Sequence, residues 1–248
     1  MEDFVKSKPL WKRPSTVPFP NVWHRFQVQK KDGLIYKVKI QEINPDRFAE
    51  IQEFMETYFD KDEPLSNATK VLDDEISMIK KRAHRCNILN ENISIMATFD
   101  IDDMKPEILG VLLLQVYVKN EPKLKIQPGV AWKKALDILS KVEENVDIYQ
   151  EIASDRYFDF MIAIGSKYRG LNLCFHLLEC LPKIGKSFGI SGAMSVFTNF
   201  RSQKAAKKAG FILYNEIQYK DYKDENGKVI FPITETKSIQ CMIKKFTP

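Results

Sequence analysis

Six residues in the second half of the chain, Gly165-Ser166-Lys167-Tyr168-Arg169-Gly170, combine backbone freedom with positive charge. Residues 158–164 before them are apolar apart from Asp159 and rich in aromatic and β-branched types, as a buried strand is. After them Leu171, Cys174, Phe175, Leu177, Leu178 and Leu181 recur at helical spacing. Strand, tight basic loop and helix in that order suit an anion. The first helical N–H groups have no internal partner, they sit at the positive end of the helix dipole, and a glycine beside them lets a phosphate come close. Lys167 and Arg169 add charge at the same place, so pyrophosphate is the natural guest. An ordinary strand–helix connection with solvated cations is the alternative on the loop alone.

Other reactive side chains carry less. Cys86, Cys174, Cys180 and Cys241 form no CxxC pair and have no histidine at metal spacing, so free, mostly buried thiols in a reducing compartment are expected. Cys174 and Cys180 lie in an apolar helix without a histidine base, which argues against an acyl-cysteine intermediate. His176 stands three residues before Glu179 and reads as a structural helix histidine. No metal is expected. The formal net charge of +5 comes from 38 basic and 33 acidic residues that are interleaved, too weak a bias for nucleic acid. The first residues lack the apolar core of a signal peptide, and the longest apolar run, residues 108–118, is too short to span a bilayer. A cytoplasmic protein without membrane contact is the expectation.

The elements that must position the loop follow in order. Residues 1–23 form an arm with four prolines, extended rather than helical, whose Trp11, Phe19 and Trp23 suit packing against the body; a flexible tail is the alternative. Residues 24–248 read as one domain. Residues 24–28 and 34–40 flank Lys31-Asp32-Gly33, a hairpin signal. Asn44 and Pro45 open a helix whose face is Phe48, Ile51, Phe54, Met55 and Tyr58. Pro64 then ends the helix. A second helix is expected to bury Val71, Ile76, Ile79, Ala83 and Cys86 beneath many surface charges. Strands at 93–99 and 108–118 enclose the polar turn 100–105, and a loop at 119–130 leads to a helix at 131–146. After the basic loop and its helix, kinked at Pro182 and closed by Gly189, come a strand at 193–197, a helix at 202–209 stopped by Gly210, a strand at 211–220, a turn at 224–228 and a strand at 238–245. The fold class is α+β, mixed α/β, with helices flanking a largely antiparallel, twisted sheet.

Three segments together carry a resemblance. Tyr168-Arg169-Gly170-Leu171-Asn172-Leu173 is similar to the acyl-CoA pyrophosphate loop of the GNAT superfamily of N-acetyltransferases. Residues 199–211, with Asn199, Ser202, Ala206, Gly210 and Phe211, resemble the element that follows in that family. Asp62-Glu63-Pro64-Leu65 is similar to a stretch of the insect arylalkylamine N-acetyltransferases, and residues 214–222 resemble their later strand. The element order matches the fold from about residue 34 to the end. The sequence departs from the pattern at Asn172 and Cys174, which stand where small residues are usual, and at Ala206, where many relatives carry a tyrosine acid.

The resemblance implies an acetyl-CoA-dependent enzyme, without a metal, that acetylates a small primary amine directly. Glu63 would be the general base, through water, and Ser202 the acid or thiolate hydrogen-bond donor; as a residue opening a helix, Ser202 also reads as an N-cap. The cofactor would rest on backbone groups of Met161, Ile162, Ala163 and Ile164, on the loop Lys167, Tyr168, Arg169, Gly170, Leu171, Asn172 and Leu173, and on Asn199 and Ser202. Tyr58, Phe59 and Phe197 would form an aromatic slot for dopamine-, serotonin-, tyramine- or octopamine-like amines. Asp62, Asp73 and Asp74 would suit agmatine or polyamines. A non-catalytic acyl-CoA or protein-binding module, a longer acyl group, and peptide N-acetylation are the alternatives. A monomer or weak dimer is expected.

Overall fold

β-Alternation sets the first edge of the sheet. β1 (Val22–Gln29) pairs antiparallel with β2 (Ile35–Glu42), whose Val38 and Ile40 are buried while Lys37 points to solvent. The computed structural model describes residues 10–29, 33–102, 105–122 and 127–247. Residues 1–9 of the arm, Lys31 and Asp32 of the hairpin turn, Asp103 and Met104 of the next turn, and 123–126 of the long loop lie outside the described residues. The described part of the arm packs against the body: the rings of Trp11 and Trp23 meet Phe188 edge-on at 6.0 and 5.9 Å. Arg13 reaches the buried Glu42 at 2.7 Å and the Asn92 carbonyl at 2.9 Å. Phe19 is partly exposed, with the Arg13 guanidinium over its ring.

α1 (Phe48–Met55) is extended at both ends, by a 3₁₀ turn at Pro45–Arg47 and a π turn at Glu56–Asp60, and buries Ile51, Phe54 and Met55 as its spacing predicts. A short α2 (Pro64–Ala68) follows, then α3 (Glu75–Leu89). α3 corrects the expected face. It buries Met78, Lys81, Arg85 and Ile88, while Ile76 and Ile79 are 60% and 51% exposed and Cys86 is exposed. A buried carboxylate, described below, turns the helix: Lys81 and Arg85, one turn apart, are drawn inward by Asp60.

β3 (Ile95–Phe99) and β4 (Ile108–Val118) form the expected hairpin. The helix expected at 131–146 ends three residues early, and a second, unexpected helix follows it. α4 (Val130–Glu143) stops, Asn145 takes a left-handed φ of 68°, and Asp147 caps α5 (Ile148–Ile152) through the Gln150 N–H. β5 (Arg156–Ile164) leads through the glycine loop to α6 (Leu173–Glu179) and α7 (Leu181–Phe188). β6 (Gly192–Phe197), α8 (Phe200–Lys208), β7 (Ile212–Gln218) and β8 (Ser238–Lys245) complete the chain. The strands make one sheet in the order β1-β2-β3-β4-β5-β6-β8-β7, antiparallel except between β5 and β6. The fold is mixed α+β with a mostly antiparallel sheet, as expected. Among the described residues, no helix is long and apolar enough to cross a membrane.

Candidate active site

β4 and β5 are paired over nine residues from Gly110↔Ile164 to Val118↔Arg156, but β5 meets β6 at a single pair, Phe158↔Ala193. From there the two strands part. The Ser195 hydroxyl bridges the start of the opening by donating to the Phe160 carbonyl at 2.8 Å. Beyond it, Met161, Ile162, Ala163 and Ile164 keep the edge facing β6 without a ladder partner, and all four line a cavity of about 970 Å³. An unpaired strand edge of this kind can pair with an extended amide-bearing ligand.

At the C-terminal end of β5 the backbone turns sharply. Gly170 has φ 86°, and Asn172 sits at φ 57°, ψ 17°. Asparagine is among the few non-glycine residues that tolerate the left-handed region, which accounts for its presence where the resembled pattern has glycine. The first bond of α6 runs from the His176 N–H to the Asn172 carbonyl, so the N–H groups of Leu173, Cys174 and Phe175 precede the ladder at the cavity wall. Burial pushes the Cys174 thiol up to about 12 and Cys180 likewise, so neither is a nucleophile at neutral pH.

The facing wall comes from α8. Its N-cap is Asn199, whose side chain accepts the Arg201 N–H at 2.8 Å, and not Ser202. Ser202 lies one turn inside, with its hydroxyl on the Asn199 carbonyl at 2.8 Å, and opens onto the cavity. Ala206 is buried in the core; α8 presents Ser202, Lys204, Ala205 and Lys208 to the cavity instead.

Across the same space, Glu63 caps α2. Its two carboxylate oxygens accept the N–H groups of Leu65 at 2.9 Å and Ser66 at 2.7 Å. The loop that carries it is anchored from below. Lys81 Nζ lies 2.8 Å from Asp60 and 3.2 Å from the Ser66 hydroxyl, and Arg85 lies 2.6 Å from the same Asp60 oxygen. Burial lowers the Lys81 pKa, and Asp60 opposes the shift. The three groups sum to one positive charge beside Glu63.

No protein-family model matches the chain, and no curated protein matches it. Solved structures do. A putative arylalkylamine N-acetyltransferase 7 of the yellow fever mosquito Aedes aegypti is 25% identical, with a TM-score of 0.86 over 95% of this chain and 99% of its own. This chain is a GNAT-fold N-acetyltransferase. Arylalkylamine N-acetyltransferase 2 of Aedes aegypti is also 25% identical, with a TM-score of 0.76 over 85% of this chain and 99% of its own. An agmatine N-acetyltransferase, 17% identical with a TM-score of 0.71 over 84% of this chain and 99% of its own, shares the fold.

The acetyltransferase gathers most of the expected site residues around one cavity and sets some aside. Tyr58, Phe59, Asp62, Glu63, Tyr168, Arg169, Gly170, Asn172, Leu173, Asn199 and Ser202 line it. Lys167 and Leu171 do not; Lys167 borders a separate hollow with Glu50, Glu53 and Glu107. Phe197 lines the same cavity and packs on Phe160 and Phe211 at 5.9 and 5.8 Å. Asp62 forms an ion pair with Arg169 across the cavity mouth. Asp74 is consumed as a double cap, accepting the Ser77 N–H at 3.1 Å and the Ala131 N–H at 2.9 Å. Hydrogen bonds from these groups hold its carboxyl below the usual range. Asp73 lies outside the cavity lining. Sequence reading missed Lys204 and Lys208, four residues apart on one face of α8, and Trp132 on α4. The 3.6-residue spacing of the α8 cations was the available signal.

Proposed function

We propose that the chain transfers the acetyl group of acetyl-CoA directly to a small primary amine. The observation that carries this reading is the single cavity shared by Glu63, Ser202 and the open edge of β5. The residues present fit the co-substrate. Met161 to Ile164 offer an edge for the pantetheine amides, and the Gly170–Asn172 turn leads phosphates to the N-terminus of α6. Arg169, Lys204 and Lys208 supply cations at the mouth. The thioester supplies the electrophile. Glu63 accepts the proton of the bound ammonium through water, which frees the nitrogen to attack the carbonyl carbon. The tetrahedral adduct then expels the thiolate, and the Ser202 hydroxyl donates a hydrogen bond to the sulfur as its charge develops. No covalent enzyme intermediate is needed.

The two neighbours at 25% identity are arylalkylamine N-acetyltransferases by name, which supports an arylalkylamine acceptor. So do the aromatic walls: Phe59 and Trp132 flank Lys81 Nζ at 5.7 and 5.9 Å. Thiol release from acetyl-CoA, measured over aryl amines, agmatine, polyamines and peptides, tests the reading. Turnover with a small amine is expected. Acetyl-CoA binding without release on any acceptor would reduce the chain to an acyl-CoA-binding module.

The cradle makes its own prediction. Arg169→Ala and Lys204→Ala each remove a cation from the mouth, so the KM for acetyl-CoA rises roughly tenfold, as expected for a charged hydrogen bond to phosphate. Lys167→Ala leaves it within about twofold, because that side chain faces the other hollow. Steady-state kinetics at varied acetyl-CoA distinguishes the two.

A further inference from the structure

A carboxylate beside an ammonium favours the charged form of the amine, and so tends to keep the proton on the nitrogen that must lose it. Glu63 alone would act on an acceptor in this way. The wall beside it carries an opposing charge. Lys81 lines the cavity and is 6% exposed. Its Nζ lies 2.8 Å from Asp60, three residues before Glu63, and 3.2 Å from the Ser66 hydroxyl, three residues after it. Ser66 in turn donates its N–H to Glu63 Oε2 at 2.7 Å.

Asp60 does not cancel this charge. Arg85 Nη2 meets the same oxygen, Oδ1, at 2.6 Å, and Arg85 also lines the cavity. Arg85 alone would balance Asp60, so the second cation is not needed for neutrality, and a buried ammonium is costly. Little water screens it. The ring centres of Phe59 and Trp132 stand 5.7 and 5.9 Å from Lys81 Nζ. The surplus positive charge therefore acts in a low-dielectric wall next to the proton acceptor.

We propose that Lys81 presents its charge to the bound acceptor, disfavours the ammonium form, and so readies the nitrogen for attack. The inference deepens the acetyltransferase reading and rests on it. The proton leaves the nitrogen through water to Glu63; Lys81 neither gives nor takes one. The charged groups facing Lys81 are Asp60 from the π turn, Arg85 from α3 and Glu63 from the loop before α2. His84, on the same helix, meets the Trp132 ring of α4 at 5.8 Å. Tyr219 faces Glu63; burial, and then Glu63, push its hydroxyl pKa up, so it stays neutral and donates to the Thr198 carbonyl at 2.9 Å. Burial lowers the pKa of Lys81 itself, and Asp60 opposes that shift. The effect belongs to the ammonium form of Lys81, so it fades as pH rises through that lowered value.

The test measures kcat and KM for phenethylamine from pH 6.5 to 10 on wild type, Lys81→Met and Lys81→Arg, beside thermal melts. Lys81→Met removes the charge and leaves Asp60 paired with Arg85. At pH 7 its kcat should fall about tenfold, the equivalent of one pH unit in the ionisation of the bound amine. Its KM should fall by a similar factor, because the ammonium form is held more tightly, so kcat/KM stays within about threefold. The two proteins converge towards pH 10, and Lys81→Arg restores the wild-type values to within about threefold. O-Benzylhydroxylamine, an amine already neutral at pH 7, should show a difference of no more than about twofold. A fall in kcat with KM unchanged or raised, or an equal fall with O-benzylhydroxylamine, would leave Lys81 a merely structural clamp and overturn the proposal. The nitrogen shift of ¹⁵N-labelled phenethylamine bound beside CoA needs no variant. It should titrate below the free amine; titration at or above the free value, or no bound amine, overturns the proposal even if Lys81→Met does not fold. Lack of turnover with every amine would instead count against the acetyltransferase reading, and the nitrogen titration would still decide the role of Lys81.

Discussion

Glu63→Gln should lower kcat by about 10²- to 10⁴-fold, the range that a positioned proton acceptor contributes, while the KM for acetyl-CoA stays close to wild type. The substitution is chosen to isolate that loss. Glu63 also caps α2 through two backbone N–H groups, and Glu63→Ala would remove the cap at a cost of about 1 kcal/mol. A glutamine keeps one carbonyl oxygen for the cap and cannot take the proton. If kcat held within threefold at pH 7 and 9, proton removal would have to pass through another group, and the assignment of Glu63 would fall. Thermal melts run beside the kinetics separate a cap defect from a chemical one.

The largest effect on stability is expected at Asp60. Its carboxylate meets Lys81 at 2.8 Å and Arg85 at 2.6 Å, and Arg85 is 1% exposed. Asp60→Asn leaves two buried cations side by side, a loss of about 3–5 kcal/mol. For a chain of this size that lowers Tm by roughly 6–20 °C. The pH dependence has a definite sign. Lys81 already has a lowered folded pKa, through burial first, and loses the opposing effect of Asp60 in the variant. A cation with a folded pKa below its unfolded value binds fewer protons when folded, so stability rises with pH in that window. Urea midpoints at pH 7 and 9.5 should therefore converge between variant and wild type at the higher pH. A variant as stable as wild type would mean that the cluster contributes nothing to holding the Glu63 loop.

The same cluster explains where sequence reading stopped. Strands, loop and α6 were legible because their apolar residues follow one period and their glycines mark the turn. The turn after β5 and the helix end at Glu63 were legible because glycine and proline restrict the backbone there. α3 was not. Charges one turn apart on a helix usually face water, and nothing local says that Lys81 and Arg85 answer a carboxylate 21 and 25 residues earlier. Serine before a helix likewise reads as a cap, yet Asn199, three residues upstream, takes that role and leaves Ser202 to the cavity. Long-range charge pairing has no period, and that is what separated the parts that were read from those that were not.

The single rung between β5 and β6 has a mechanical meaning too. On either side of it the sheet is internally complete: β1 to β5 form one antiparallel set and β6 to β8 another. Side chains, the Ser195 hydroxyl and the helices over them hold the two sets together, where elsewhere a ladder would. A cut near Gly189, in the connection between α7 and β6, would thus sever no strand and leave each fragment with its own finished sheet. The fragments on either side of that connection are natural halves for a split reporter, whose reassembly would be read as acetyl transfer.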